Sequence, residues 1–287
     1  MSPFNLQNYT ALLNFALDAG YRFIAFDQFS DSELAIVRQG GTTLCNEAGG
    51  RCLLRHDVDA DLAAAVVMAR AEAAMGIFST YFLMWRSPCY NLMSRFGQKH
   101  AEEILGLGHQ IGLHYDQGYD ESSQLLPKAT AEQIRQQADW LEILLKCRVA
   151  AVSFHQPSFA VLQAGVDCGE RLNTYDRNRL RFFNYVSDSN RVFALWPATC
   201  RDAATEVDAR ALAHCWPQDV QLLIHPLWWV YDNPSTEEVW DRAILNNLLQ
   251  TQNQLLETER AYGSKREFRI IVAEKEKSSR QMRCGDI

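Results

Sequence analysis

RCLLRHDVD, residues 51–59, is a short apolar run that ends in charge, and the Ala-rich stretch Asp61–Met75 follows it directly and stops at Gly76. A brief apolar run bounded by polar residues predicts a buried strand, and the Ala-rich stretch closed by a glycine predicts a helix. The same alternation extends outward in both directions. Upstream, Leu6, Tyr9, Leu12, Leu13 and Leu17 recur at helical spacing before Gly20, which predicts a helix over residues 5–19, and Tyr21–Phe26 reads as a strand. Glycine pairs between Ser30 and Gly50 mark turns.

Downstream, the patterning predicts a strand at Phe78–Trp85, a helix at Met93–Leu107, a strand at Gln110–His114, a helix at Ala129–Lys146 and a strand at Arg148–Phe154. Short β-like runs follow at Phe182–Val186 and Val192–Trp196, then a helix at Asp208–Cys215, a strand at Val220–His225 and a helix at Thr236–Thr258. Strands alternating with helices imply parallel βαβ units, hence an α/β fold. We expect a single catalytic domain over residues 1–287: an N-terminal helix and strand in 1–50, a core of about 51–262, and a polar tail beginning near 276.

Lys and Arg number 28 against 35 Asp and Glu, a net charge of -7, and no basic block interrupts the chain. That balance offers no electrostatic footprint for nucleic acid, whose binding requires phosphate neutralisation. No stretch approaches the length of a membrane span, and the first residues lack the pattern of an export signal, so a cytoplasmic location is expected. The eight cysteines (45, 52, 89, 147, 168, 200, 215 and 284) form no CxxC pair and read as reduced thiols.

The conspicuous polar residues fall at the C-terminal ends of predicted strands: Asp57 and Asp59 on one, His114, His155 and His225 on three others. In parallel α/β barrels that rim is where active sites are built. Strand alternation puts Arg55, Asp57 and Asp59 on one face and His56 and Val58 on the other. Two neighbouring carboxylates can divide labour, one binding a metal and one acting as base; the plainer alternative is a solvated strand end whose Asp residues cap the next helix. Imidazole is the commonest metal ligand, although a single histidine at a strand end is more often structural. His109, ahead of its strand, reads as a loop or helix-end residue. In SFHQPS and LLIHPLWW each histidine is followed by Pro, one residue later or directly, which stiffens the turn, and Trp228 and Trp229 can wall a pocket or simply fill core.

The ordered set RHDVD, GHQIGLHYD, FHQP, Ser187-Asp188-Ser189 and LIHP resembles the polysaccharide deacetylase superfamily (NodB homology, carbohydrate esterase family 4), over roughly residues 50–230. More narrowly it resembles the WbmS-like branch associated with lipopolysaccharide and capsule loci. The resemblance implies a distorted (β/α)7 barrel, related in plan to a TIM barrel, with a divalent metal bound by one Asp and two His. It makes Asp57 the base, Asp59 the metal-binding Asp, His114 the first metal His, His225 the general acid, Asp188 the acid's support and Trp228 the apolar wall.

Two positions depart from the pattern. The family's second metal His lies four residues after the first, where this chain has Gly118, and His155 occupies the slot of an Arg that orients the base. A consistent exchange makes His155 the third metal ligand and gives Arg55 the charge beside Asp57. The implied reaction is metal-dependent removal of an N-acetyl group from a sugar in surface polysaccharide biosynthesis, with zinc first among the metals and cobalt, nickel or iron also compatible. The substrate can be nucleotide-linked or lipid-linked, and Tyr90, Asn91, Tyr115 and Asp116 are candidate pocket residues beside Trp228. Two alternatives are a catalytically silent carbohydrate-binding relative and a metal-dependent glycosyltransferase using Asp57-x-Asp59.

Overall fold

The computed structural model describes residues 4–28, 50–118, 127–191, 219–233 and 235–262. The predicted turns of 30–49, the run 192–196, the helix 208–215 and the tail lie outside them. By contacts the chain divides into residues 1–244 and 245–287. Within the second unit, the described residues are the later part of the helix Thr236–Thr258 and a turn after it.

Helix α1 (Leu6–Asp18) starts at Asn5, whose side chain accepts from the Asn8 N–H, and buries Tyr9, Leu12, Leu13 and Ala16 along one stripe. Then come β1 (Arg22–Ile24), β2 (Arg51–Val58), α2 (Leu62–Ala74) with Asp61 as its cap, β3 (Thr80–Leu83) and α3 (Arg95–Gly106) capped by Ser94. They are followed by β4 (Gln110–Asp116), α4 (Pro127–Leu145), β5 (Ala151–His155), α5 (Phe159–Ala164) and β6 (Leu172–Asn173). The last elements are β7 (Asn184–Ser187), β8 (Asp219–Ile224), α6 (Pro226–Val230) and α7 (Thr236–Thr258). Pro226 opens α6 because the first helical position needs no N–H. Among the described residues no helix is long and apolar enough to cross a membrane.

All the strand pairs are parallel, and the order is β6-β5-β4-β3-β2-β8-β7. β2 pairs with β8 along residues 51–56, so β1, at residues 51–53, and β3, at 55–58, share its other edge. The sheet is strongly curled. β5 and β8 stand four steps apart, roughly 19 Å on a flat sheet with strands about 4.8 Å apart, yet the histidines that end them both lie within 4 Å of the Asp59 carboxylate. Across the interior, the Gln221 side-chain N–H of β8 donates to the Thr174 carbonyl just beyond β6 at 3.2 Å. The result is an α/β half-barrel of parallel strands, the architecture expected of the distorted barrel.

Strand β5 starts at Ala151 rather than Arg148 because the Val149 N–H is taken by the Glu142 carboxylate at 2.8 Å instead of a neighbouring strand. Between the helices and the sheet lie two apolar clusters, one from α2, α3 and α4 against β3 to β5, the other from α1, α6 and the start of α7 against β2 and β8. A buried polar knot sits there too. Glu72 accepts from the Tyr9 hydroxyl at 2.5 Å and the Ser79 hydroxyl at 2.6 Å and pairs with His56 at 2.7 Å, while His109 donates to the Ala69 carbonyl at 2.9 Å. His56 and His109 are therefore structural, on the face of the sheet away from the rim.

A third cluster plugs the inside of the half-barrel, with Phe26, Leu53 and Phe82 among its members. Phe82 has room because β4 carries Gly112 opposite it: a Cβ there would lie 2.4 Å from the ring and 3.1 Å from the Ala151 carbonyl oxygen. Gly112→Ala should accordingly destabilise the protein by about 1–3 kcal/mol, as overpacking of a full core does, measured by urea unfolding; an unchanged midpoint would show that the interior is looser than described.

Candidate metal centre

Strand β2 points Leu53, Arg55 and Asp57 into the half-barrel, and Asp59 continues the same face just past the strand end. The Asp59 Oδ1 lies 3.1 Å from His114 Nε2 and 3.4 Å from His155 Nδ1, and its Oδ2 is 3.9 Å from His225 Nε2. Asp59, His114 and His155 each offer a ligand atom within 4.8 Å of the others. Donor atoms around a tetrahedral ion with bonds of about 2.0–2.2 Å stand roughly 3.3–3.6 Å apart, so an Asp-His-His set at this spacing fits a divalent metal. Position 118 falls in a turn where the Gly118 N–H donates to Asp116 Oδ1 at 2.9 Å with φ of 81°, a conformation that favours glycine.

Beside this cluster, Asp57 Oδ2 is 2.9 Å from Arg55 Nη2 and its Oδ1 accepts from the Ser153 hydroxyl at 3.2 Å. The guanidinium has no exposure; it reaches the Tyr175 hydroxyl at 3.0 Å and lies over the rings of Phe82, Tyr175 and Tyr185 at 4.9 to 5.8 Å. Cation–π contact of this kind helps hold a desolvated cation.

On the other flank, His225 Nδ1 is 2.5 Å from Asp188 Oδ1, and the His225 N–H and the Trp229 indole N–H donate to Asp188 Oδ2 at 2.9 and 2.7 Å. β7 and β8 are neighbours, which places Asp188 and His225, each the residue after its strand, side by side. Burial works against a charged His225, but the charge and hydrogen bond of Asp188, with Asp59 and Asp57 beyond, outweigh it and raise its pKa to about 9. Burial likewise opposes ionisation of Asp59, and hydrogen bonds from His114 and His155 with the charge of His225 hold its carboxyl well below the usual range. For His155, burial is again outweighed, by the hydrogen bond and charge of Asp59 and the charges of Asp116 and Asp57, and its pKa is raised.

A cavity of about 350 Å³ opens over these groups, walled by Phe154, Pro157, Tyr175, Trp228 and Trp240 and edged by Ser189 and Thr236. Of the residues expected at the pocket, Trp228 lines it. The other four do not. Tyr90 clamps strand ends, its hydroxyl donating to the Val58 carbonyl at 2.7 Å and accepting from the Met84 N–H at 2.8 Å. Asn91 is exposed and shapes the turn into α3. Tyr115 is buried on the outer face, donating to Gln133 on α4 at 2.7 Å. Asp116 closes the turn at Gly118 and contributes only its charge near His155. Sequence reasoning missed Ser153, although an inward polar residue two before His155 was visible by strand alternation, and it missed Tyr175 and Trp240, which carry no such signal. It left Trp229 between wall and core, whereas its indole N–H holds Asp188.

No protein-family model and no curated protein matches the chain. Solved structures do. The chain is similar in fold to carbohydrate esterase family 4 proteins. One is a mutant of BA3943, a CE4 family pseudoenzyme whose wild type is from Bacillus anthracis, with restored activity: 16% identity over 70% of this chain and 63% of that one, TM-score 0.42. Another is the Bacillus subtilis peptidoglycan deacetylase PdaC, 11% identical over 73% of this chain and 96% of that one, TM-score 0.40. A third is a family 4 acetyl xylan esterase from Clostridium thermocellum in complex with a cobalt ion, 13% identical over 70% and 84%, TM-score 0.37. The chain spans less than two thirds of the length of the BA3943 mutant.

The Asp188–His225 pair has a pH signature in metal-free protein. Its folded pKa of about 9 lies above the ordinary imidazole value of about 6.5, so the pair's stabilisation is complete below about pH 6.5 and is lost as pH rises through 9. The melting-temperature gap between wild type and Asp188→Asn should be widest below pH 6.5 and shrink as pH passes 9; a gap constant with pH would contradict the ion pair.

Proposed function

We propose that the protein is a metal-dependent hydrolase that removes an N-acetyl group from a sugar. The observation that carries this reading is the placement of Asp57 and His225 around one Asp-His-His cluster at the mouth of a walled cavity. Binding alone has no use for an acid and a base facing the same point. Asp59, His114 and His155 would hold the divalent ion, zinc first, which when bound lowers the pKa of water and polarises a carbonyl.

The remaining work falls to the chain's own groups. Asp57 takes the proton of the attacking water, and Arg55 and Ser153 fix both its oxygens so that it faces the reacting centre. His225, held charged by Asp188, gives a proton from Nε2 to the departing amine. Trp228 and Trp240 present apolar surface on which a sugar ring can lie, and the substrates that suit this reading are N-acetylated sugars, free or linked to a nucleotide or lipid carrier, as used for surface polysaccharide.

Acetate release from a panel of such sugars tests the proposal. Wild type should be active and should lose activity to a chelator. Asp57→Asn and His225→Ala should each be slower by about 10²–10⁴-fold, the usual span for a general base or acid, with metal content unchanged. Normal release by Asp57→Asn would remove it as the base, and silence of the wild type across the panel would leave sugar binding without hydrolysis.

A further inference from the structure

Ser153 stands at the middle of an unbroken chain of polar contacts across the site. Arg55 Nη2 is 2.9 Å from Asp57 Oδ2, Asp57 Oδ1 is 3.2 Å from Ser153 Oγ, Ser153 Oγ is 2.5 Å from His114 Nδ1, and His114 Nε2 is 3.1 Å from Asp59 Oδ1. The serine is fully buried, and β4–β5 register sets it directly beside His114. The curl of the sheet then brings Asp57, three strands away, to its other side.

A hydroxyl has one proton, and these contacts decide where it goes. Asp57, ion-paired with Arg55, can only accept, so the Ser153 proton points to Asp57. The Ser153 oxygen then has only lone pairs for His114, whose Nδ1 must carry the hydrogen of that contact. Nε2 faces Asp59 at 3.1 Å, a contact that carries a ring hydrogen of its own without an ion; a divalent ion would take that hydrogen's place on Nε2, while the one on Nδ1 stays with Ser153.

We propose that Ser153 is a positioning residue that fixes the proton of His114 on Nδ1 and one oxygen of Asp57, tying the orientation of a metal ligand to that of the base. This rests on the metal-site reading above. It predicts that Ser153 matters for ion binding as well as for turnover, because without the hydroxyl the Nδ1–H loses its partner at 2.5 Å, is left with the Asp57 carboxylate at 3.7 Å, beyond hydrogen-bond distance, and holds Nε2 toward the cluster less firmly.

The experiment is a cobalt(II) titration of wild type, Ser153→Ala and Ser153→Thr against a competing chelator, with proton NMR of the cobalt-loaded proteins. Removing a hydrogen-bond partner of a ligating histidine weakens metal binding by about 10–100-fold, which is the loss expected for Ser153→Ala; Ser153→Thr, which keeps the hydroxyl, should recover most of it. Wild type should show an exchangeable, strongly shifted ring N–H signal for each of His114 and His155, and Ser153→Ala should lose or shift the His114 signal alone, a change that loosened packing would not single out. Wild-type affinity and both signals in Ser153→Ala would overturn the role of Ser153 while leaving the metal site standing. A wild type that takes up no cobalt would overturn the metal site and this inference together.

Discussion

A guanidinium with no access to water has to be compensated by its surroundings, and the interior of this half-barrel is organised around that demand. Arg55 is fully buried, and breaking a buried ion pair by removing one partner costs about 3–5 kcal/mol. Asp57 neutralises it and, like the Tyr175 hydroxyl, bonds its Nη2; three aromatic rings flank it, and its Nε and Nη1 are buried without a hydrogen bond among the described residues. The arrangement works in both directions: the cation that needs Asp57 also aims Asp57 at the rim.

The layers follow from one alternating strand. Leu53 joins the apolar plug, Arg55 forms a cationic layer above it, Asp57 stands above the cation, and Asp59 meets the histidines at the mouth. Neighbouring strands repeat the pattern, with Ala151, Ser153 and His155 rising along β5 and Gly112 and His114 along β4. Each inward position is suited to its height. Apolar residues fill the floor where water is excluded, while the groups that must exchange protons or hold an ion come only at the open end. The outward face carries a separate polar knot around Glu72, which ties α1 and α2 to the back of the same strand.

Much of this was legible because period-2 alternation and strand ends are local properties of a sequence. The strand 51–58 and its helix, the helix 236–258, and the position of Asp59, His114 and His155 at strand ends all come from patterns spanning a few residues. Tyr115 is a candidate for the pocket, yet alternation turns it to the face opposite His114, where Gln133 holds it. Tyr90 and Asn91, the other candidates on this side, serve the turn between β3 and α3 instead. Tyr175 and Trp240 reach the cavity only because the sheet curls, and curl is a sum over strands that no single stretch announces. His155 lay between these cases: its place at a strand end was plain, but its nearness to Asp59 depends on that curl.

With glycine at position 118, the ion site depends on His155 for its third ligand. Elemental analysis of wild type and His155→Ala, purified without chelators or a histidine tag, addresses this directly. Close to one equivalent of divalent metal in wild type and almost none in His155→Ala is the predicted result. A His155→Ala protein that keeps its full equivalent would contradict the assignment and move the third ligand elsewhere in the site.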